Sequence, residues 1–446
     1  MNSPVFDVQA MVELVRTGRM SAFVEQAEDL EPADLADVLA QLDDAERVQV
    51  VQLLPPEISS HALVEMPAEE HAGETLAALD PGQAAGIVDE LEDDDAADLL
   101  GELDPAEQER ILSSVEDRSE VDRLLRYDED SAGGLMTTHL VRVQETDTVA
   151  EALDRIRRQT EEVEDFYELF VVDAGNRLVG TLPLKGLVTS LPARPVREFI
   201  EEADITVSPE VDQEEVARVM GKYHMPSLPV VDGGGRLIGR ITFDDVAHVV
   251  QQETTEDLLK FGGVSGGEEL SPHWVPALRS RLPWLLINLL TAFVAKSVID
   301  AQQDVVNQIP LIAGWLGVIA GMGGNAGTQA LAVTVRRLAL GLIGPGDAKQ
   351  IIRNELLVGL LNGIVNGLIV AAIGMGTGGQ PLIGLVVGLA MVGNLVVAAA
   401  SGAIIPLLLQ RFKVDPAIAS SIFVTTFTDV FGFGLVLLFA RLLLLH

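Results

Sequence analysis

The sequence predicts a multidomain protein in three parts: an all-α N-terminal superhelical solenoid, an α/β tandem repeat, and a five-helix transmembrane domain. Three observations predict it. Residues 1–270 hold 61 of the 67 acids and 20 of the 30 bases, so this part carries a net charge near −41 while the remaining 176 residues sit near +4. A mark of Leu or Met recurs every 12 or 13 positions through the first 115 residues, and five long apolar stretches fill the chain from Leu282 onward. One part of the chain is built for water and another for lipid.

The charge narrows the partners before any motif is read. A surface this acidic repels nucleic acid and anionic headgroups and attracts cations or basic proteins, and divalent metal is the economical choice. The absence of cysteine excludes thiolate metal sites, disulfides and thiol catalysis. The opening MNSPVFDVQAMVELVRTGRM has no basic segment followed by an apolar one, so no cleaved signal peptide is expected and the acidic part is placed in the cytoplasm.

Residues 1–130 form the first domain. Leu30, Leu42, Leu54, Met66, Leu79, Leu91 and Leu103 mark the repeat, and each is followed closely by Pro or Asp. Segments such as EPADLADVLAQL, DPGQAAGIVDEL and DPAEQERILSSV have the signature of a capped or proline-opened short amphipathic helix. A helix of about two turns cannot bury its apolar face alone, so stacked short helices in a superhelix are expected.

Residues 131–252 hold a second repeat. Phe170 to Val188 (FVVDAGNRLVGTLPLKGLV) matches Pro229 to Ala247 (PVVDGGGRLIGRITFDDVA) at an offset of 59, each copy reading as strand, Gly-containing turn, strand and helix. With the helical segments DTVAEALDRIRR and DQEEVARVMGKY upstream, the pattern is two βαββα units. It resembles a tandem pair of CBS domains, a regulatory module, over roughly residues 136–252, with Gly180, Gly239, Asp244 and Asp245 carrying the resemblance. CBS pairs often hold adenine nucleotides, which makes ATP a candidate cofactor. Residues 253–272 (ETTEDLLKFGGVSGGEELSP) then read as a polar linker helix followed by a Gly-rich run that enters the first apolar segment.

Residues 273–446 form the membrane domain, with apolar stretches at about 282–299, 309–340, 352–373, 382–409 and 418–444. Each is long enough to cross about 30 Å of hydrocarbon as a helix. With five spans, Arg279, Arg281, Arg336, Arg337, Lys349, Arg353, Arg411 and Lys413 share one side, while the opposite loops DAQQDVVNQ and MGTGGQP hold no base. The positive-inside rule places the N-terminal part in the cytoplasm and His446 outside, with Arg441 as the one exception.

Polar residues inside spans are costly and therefore point to function. Asp429 lies in FVTTFTDVFGFG beside Thr425, Thr426 and Thr428, with no base nearby in that segment to pair with it. It either faces water or a cation, or is bonded to hydroxyls in a packed bundle. In GMGGNAGTQALAV, Gly321, Gly323, Gly324 and Gly327 permit either backbone unwinding that presents carbonyls or close helix packing, and Asn325, Thr328 and Gln329 add side-chain oxygens. Oxygen donors without nitrogen or sulfur suit a hard cation such as magnesium, which keeps most of its water. Glu355 is a candidate for snorkelling or gating, and Asn394 is either pore-lining or glue between helices.

At this point the chain resembles the MgtE family of magnesium channels over essentially its whole length. The domain order, the GGNAGTQ stretch at 323–329 and the stretch from DPAIAS to TDVFGF, Asp415 to Phe433, carry the resemblance. It implies a homodimer in the plasma (inner) membrane whose pore lies on the dyad, with Asp429 of both subunits facing hydrated Mg2+ and Ser421, Gly324, Asn325 and Thr428 around the ion path. The family has Asn or Gly followed by Pro eight residues before that Asp, where this chain has Ser421 and Ile422. The resemblance also implies a plug helix from about Glu253 to Gly262 and regulatory Mg2+ held by Asp94, Asp98, Asp212, Glu214, Asp245, Glu253, Glu256 and Asp257. His224 and His248 stand where acids are expected in the family, a change toward softer metals.

The rival classes separate on simple grounds. A membrane metalloprotease needs a motif like HExxH, and the membrane part has only His273 and His446, so no enzyme is expected. A channel for Co2+, Mn2+ or another divalent cation is the closer competitor, because oxygen ligands discriminate weakly among such ions.

Overall fold

The computed structural model describes residues 7–67, 70–159, 168–262, 264, 274–344, 346–376, 381–412, 414 and 420–445. The chain divides into two compact units, Met1–Gln251 and Gln252–His446.

The first unit opens with ten described helices of six to nine residues: α1 (Val8–Arg16), α2 (Met20–Ala27), α3 (Pro32–Ala40), α4 (Asp44–Val51), α5 (Pro56–Val64), α6 (Ala72–Ala77), α7 (Pro81–Val88), α8 (Asp93–Gly101), α9 (Pro105–Leu112) and α10 (Ser119–Leu124). The punctuation read from the sequence is what starts them. Pro32, Pro56, Pro81 and Pro105 occupy first helical positions, where a missing N–H costs nothing. Asp80 and Asp104 cap α7 and α9, and Asp43 forms a reciprocal capping box with Glu46 at α4. Six of the seven repeat marks are buried just past helix ends, from Leu42 to Leu103, and Leu30 is half-buried.

Packing then follows a simple rule: apart from α2, which packs on α1, each helix sits on its second neighbour. The odd series α1, α3, α5, α7 and α9 forms one row, and α4, α6, α8 and α10 form another. The apolar stripes of the short helices meet in one buried core, with Leu35, Leu39, Leu63, Leu76 and Leu100 at most 1% exposed.

The tandem repeat follows. In the first copy β1 (Arg142–Gln144) runs parallel to β2 (Glu168–Val172), and β3 (Leu178–Pro183) is antiparallel to β2, with α11 (Val149–Gln159) crossing over and α12 (Leu184–Val188) closing the unit. In the second copy α13 (Gln213–Tyr223) leads into the antiparallel pair β4 (Ser227–Val231) and β5 (Leu237–Thr242), and Val207 makes a single parallel bridge to Val230 in place of a full strand.

The two copies join at their hairpin turns. Leu178 donates its N–H to Gly235 O at 3.1 Å and Leu237 donates to Asn176 O at 3.0 Å. Asn176 and Gly235 are equivalent at the 59-residue offset, and both are left-handed, with φ of 60° and 75°. Glycine at Gly180 and Gly239 permits a close backbone approach: a Cβ at Gly180 would stand 2.3 Å from Glu201 O, and one at Gly239 2.7 Å from Met136 Sδ.

After β5, a single helix α14 runs from Phe243 to Phe261 without a break at 252. The linker helix read as starting at Glu253 is thus the second half of a longer one. Its polar sequence continues a helical register already set by Val246 and Val249, both 3% exposed.

The second unit contains α15 (Trp274–Asp300), a short α16 (Gln303–Gln308), α17 (Leu311–Ala339), α18 (Ala348–Gly376), α19 (Pro381–Arg411) and α20 (Ser420–Leu444). Among the described residues four helices are long and apolar enough to cross a membrane: Ala277–Asp300, Ala348–Gly376, Pro381–Arg411 and Ser421–Leu444. Helix α17 has the length, at 29 residues, but its GMGGNAGTQ segment makes it less apolar. Helix α19 is the hub and packs on α17, α18 and α20.

Glycine lets these helices close on one another. A Cβ at Gly363 would lie 3.0 Å from Val392 Cα, and one at Gly388 2.8 Å from Gly367 O. Between lipid-facing helices there is little water to expel, so this close van der Waals contact supplies the cohesion. The outer faces are apolar, with Leu285, Leu290, Phe293, Leu361 and Leu368 each more than half exposed.

Candidate functional site

Two clusters carry the polar residues that burial makes significant, one in each unit. The first is acidic and centres on α8. Its opening turn holds Asp93, Asp94 and Asp95, where the helix N-terminus favours negative charge. Asp94 is 7% exposed, and its Oδ1, like Oε1 of the preceding Glu92, is buried without a hydrogen-bond partner. Burial pushes the Asp94 carboxyl well above its ordinary 3.8, and the charges of Asp245, Asp95, Glu92 and Asp98 push it further.

The neighbours share the strain. Asp98 reaches solvent, yet the surrounding protein and the charges of Glu129, Asp95, Asp245 and Glu102 raise it as well, moderated by water. Asp245, in the first turn of α14, is raised by burial and by Asp244 and Glu92, against hydrogen bonds from Thr242. Burial also raises Glu129, helped by Asp130 and Asp128. One buried base stands here: Arg240, 5% exposed, donates from Nε to His139 O at 2.9 Å and holds Nη2 4.0 Å from Glu92. Thr138 donates to Asp93, and His139 Nε2 lies 3.8 Å from the same carboxylate.

Asp94, Asp98 and Asp245 are therefore brought into one electrostatic neighbourhood, joining the short helices to the tandem repeat. Two of the other acids read from the sequence stand at the start of α13. Asp212 is exposed and spends its carboxylate capping α13 through Glu214 N–H at 2.9 Å, with Glu214 exposed beside it. Glu253, Glu256 and Asp257 lie on α14, and Glu256 pairs with Lys260 at 2.6 Å. His224 ends α13 in a left-handed conformation, φ 54°, and His248 is exposed on α14.

Among the described residues no group of three or more His, Cys, Asp or Glu is gathered so as to hold a metal ion. The donor chemistry at Asp94 nevertheless fits a hard, hydrated divalent cation, since its Oδ1 is a buried carboxylate oxygen without a hydrogen-bond partner. The internal repeat adds a detail: the counterpart of Asp245 is Gly186 and that of Thr242 is Pro183, so this carboxylate exists in one copy only.

The second cluster lies where α17 meets α20. The GMGGNAGTQ segment is fully α-helical, so of the two readings of its glycines close helix packing holds and unwinding does not. Gly323 and Gly327 do the packing: a Cβ at Gly323 would meet Thr428 Cβ at 3.1 Å, and one at Gly327 would meet Val424 Cγ1 at 2.4 Å. Gly321 and Gly324 have open space instead, and Asn325 is exposed. The two motifs thus touch at Gly323 and Thr428, and Gly324, Asn325 and Asp429 are the next residues along their helices.

Asp429 is half-buried, and Thr428 is fully buried and donates to Thr425 O at 2.9 Å. Ser421 lies two turns earlier, about 12 Å along the axis, and its carbonyl accepts from Thr425 Oγ1 at 2.9 Å. Residues 415–419 of the DPAIAS motif lie outside the described residues.

Sequence reading missed Glu92, Glu129 and Arg240. Glu92 was visible as the first acid of the EDDDAAD run, and Arg240 as a base within the strand before Asp245. Glu129 gave no signal, because only tertiary packing brings it to Asp98.

Comparisons with known proteins cover nearly all of this organisation. The family model described as a divalent cation transporter, MgtE, matches residues 316–439; the MgtE intracellular N domain matches 30–130, and the CBS domain matches 132–193 and 196–252. The magnesium transporter MgtE of Thermus thermophilus is 37% identical over 442 residues, covering 98% of both chains. That of Bacillus subtilis is 31% identical over 429 residues, covering 94% of this chain and 93% of the relative. A crystal structure of the cytosolic domain of the Mg2+ channel MgtE in complex with ATP is 37% identical, with TM-score 0.51, and covers 55% of this chain and all of that one. A structure of the soluble part of a magnesium transporter is 28% identical, with TM-score 0.50, over 55% of this chain and 97% of that one.

Proposed function

This chain belongs to the MgtE family, a family of membrane magnesium transporters and not of enzymes, and from that premise we propose that it is a channel importing Mg2+ down its electrochemical gradient and closing when Mg2+ binds its acidic cytosolic unit. The observation that carries the reading is the meeting of α17 and α20 at Gly323 and Thr428, one residue along each helix from Gly324 and the half-buried Asp429. Hydroxyl, amide and carboxylate oxygens are the donors that hold a cation through its water. A membrane potential worth about 2.3 kcal/mol per charge per 100 mV drives a divalent ion inward without ATP hydrolysis.

The same reading sets the finer architecture. The two helix rows form a superhelical solenoid, and α17 joins the four more apolar helices as a fifth span, its polar segment lying on the ion path. Five spans in the inner membrane leave the N-terminus cytoplasmic and the C-terminus outside. The protein is a homodimer with the pore on the dyad, Asp429 of both subunits facing the ion.

Gating follows from repulsion. Two like charges about 4 Å apart repel by roughly 4 kcal/mol at an effective dielectric near 20. Bound Mg2+ neutralises that repulsion. Asp94, Asp98 and Asp245 then hold the short helices against the tandem repeat, while Asp212 and Glu214 and the α14 acids Glu253, Glu256 and Asp257 supply further contacts that set the plug half of α14. Moving a gate from 1:99 to 99:1 needs about 5.5 kcal/mol of differential binding, within reach of several weak sites together. ATP is a ligand of the CBS pair on the strength of the relative crystallised with it, and isothermal titration of the purified chain with ATP tests this.

The test of the transport reading is cation uptake into proteoliposomes by the native chain and Asp429→Ala. Mg2+ uptake that the substitution abolishes supports it. Flux indifferent to Asp429 would overturn it. The alternative, a channel for Co2+ or Mn2+, predicts that those ions enter faster than Mg2+ in the same assay.

A further inference from the structure

Asn394 is the one polar side chain of α19 whose amide is wholly enclosed, at 0% exposure, and it stands between α17 and α20. Its Nδ2 donates across to Ile319 O of α17 at 2.9 Å, while its Oδ1 is buried without a hydrogen-bond partner. Glycine faces the amide on both sides. A Cβ at Gly323 of α17 would come within 2.3 Å of Nδ2, and one at Gly432 of α20 would come within 2.9 Å of Nδ2 and 3.2 Å of Oδ1. A buried amide with half its hydrogen-bonding capacity unmet is costly in a dry bundle, so simple packing does not account for it.

Its position does. Gly323 immediately precedes Gly324 and Asn325, and Gly432 lies three residues after Asp429, so the amide occupies the gap that fixes how α17 and α20 are spaced and rotated at the ion path. We propose that Asn394 is a positioning residue for cation selection: its side chain, clamped to Ile319 O and wedged between two glycines, sets the separation between the Asn325 segment and Asp429. This rests on the reading of Asp429 as a pore residue. An aliphatic side chain fills the gap without the clamp, and alanine leaves the two helices free to approach.

The experiment is uptake of Mg2+, Co2+ and Ca2+ by the full-length chain in proteoliposomes, with Asn394→Ala, Asn394→Leu and Gly323→Ala, each checked for Tm and monodispersity in detergent. Positioning predicts a Mg2+ flux lowered by about ten- to a hundredfold, as for lost supports of metal ligands, together with a changed ratio of Mg2+ to Co2+ and Ca2+ flux in folded protein. Gly323→Ala, which displaces an intact amide, changes the ratio in the same sense, and adding it to Asn394→Ala changes it little further, because the two act on one gap. Folded variants with native flux ratios overturn the inference. If neither Asn394→Ala nor Gly323→Ala folds, Asn394 is a packing residue and the inference also falls. Asp429→Ala in the same vesicles separates the two readings: if it is silent, the pore reading itself fails, and if it is dead while the Asn394 variants are native, only this inference does.

Discussion

The two units solve the same problem of joining helices with opposite materials. In the cytosolic unit, helices of six to nine residues are started by Pro and Asp and bound by large apolar side chains such as Leu35, Leu63 and Leu100. In the membrane unit, helices of 25 to 31 residues share a smaller apolar core around Ile312, Val387, Leu395 and Leu437 and close most tightly where side chains are absent, at Gly323, Gly363, Gly367 and Gly388, while Leu361, Leu368 and Phe293 face outward. Water makes burial of carbon the source of cohesion in the first case. Lipid removes that source in the second and leaves contact distance to decide.

The contrast predicts opposite responses to adding and removing carbon. Leu63→Ala, at a site 0% exposed, should destabilise the cytosolic unit by about 2–5 kcal/mol in urea unfolding of residues 1–251, while Leu368→Ala, at a site 68% exposed on α18, should leave the detergent-solubilised chain within about 0.5 kcal/mol of native. Gly388→Val inverts the pattern, costing about 1–3 kcal/mol or folded yield, because the Gly367 backbone it meets cannot give way. Equal losses at Leu63 and Leu368 would break the comparison.

Charge sharpens it further. Asp94 carries a carboxyl whose folded value is raised above 3.8, so the folded state binds its proton more tightly than the unfolded one, and stability falls as pH rises through the window from about 3.8 to the raised value. Above that window the ionised group strains the fold. Asp94→Asn should therefore raise the Tm of the metal-free cytosolic unit at pH 7 by a few degrees, about 2–4 °C per kcal/mol for a chain of this size, and should shrink the Tm gain that Mg2+ gives. A lower Tm for Asp94→Asn without metal would contradict the repulsion account. The smallest effect belongs to a cap: Asp104→Ala removes the acceptor for the Ala106 and Glu107 N–H groups and should cost about 1 kcal/mol.

Much of this was legible in the sequence because its signals are local. Pro81 and Asp104 name helix starts wherever they occur, and the 59-residue offset names equivalent turns, down to the shared left-handed Asn176 and Gly235. The failures come where meaning depends on a neighbour. The glycines of GMGGNAGTQ read equally as unwinding or packing, and only the arrival of Thr428, Val424 and Asn394 at Gly323 and Gly327 decides for packing. Glu129 is one acid among many until the fold sets it beside Asp98, and α14 reads as two helices because its composition changes at 252 while its backbone does not.

The central claim is that an acidic cytosolic unit gates a cation path through Asp429. It is tested most directly by Mg2+ uptake into proteoliposomes at low and high Mg2+ on the cytosolic face, for the native chain and for Asp94→Asn/Asp98→Asn/Asp245→Asn. The account predicts that high Mg2+ suppresses native flux and that the triple variant, with its repulsion removed, conducts with much weaker dependence on cytosolic Mg2+. Native flux that is equal at low and high Mg2+ would contradict it.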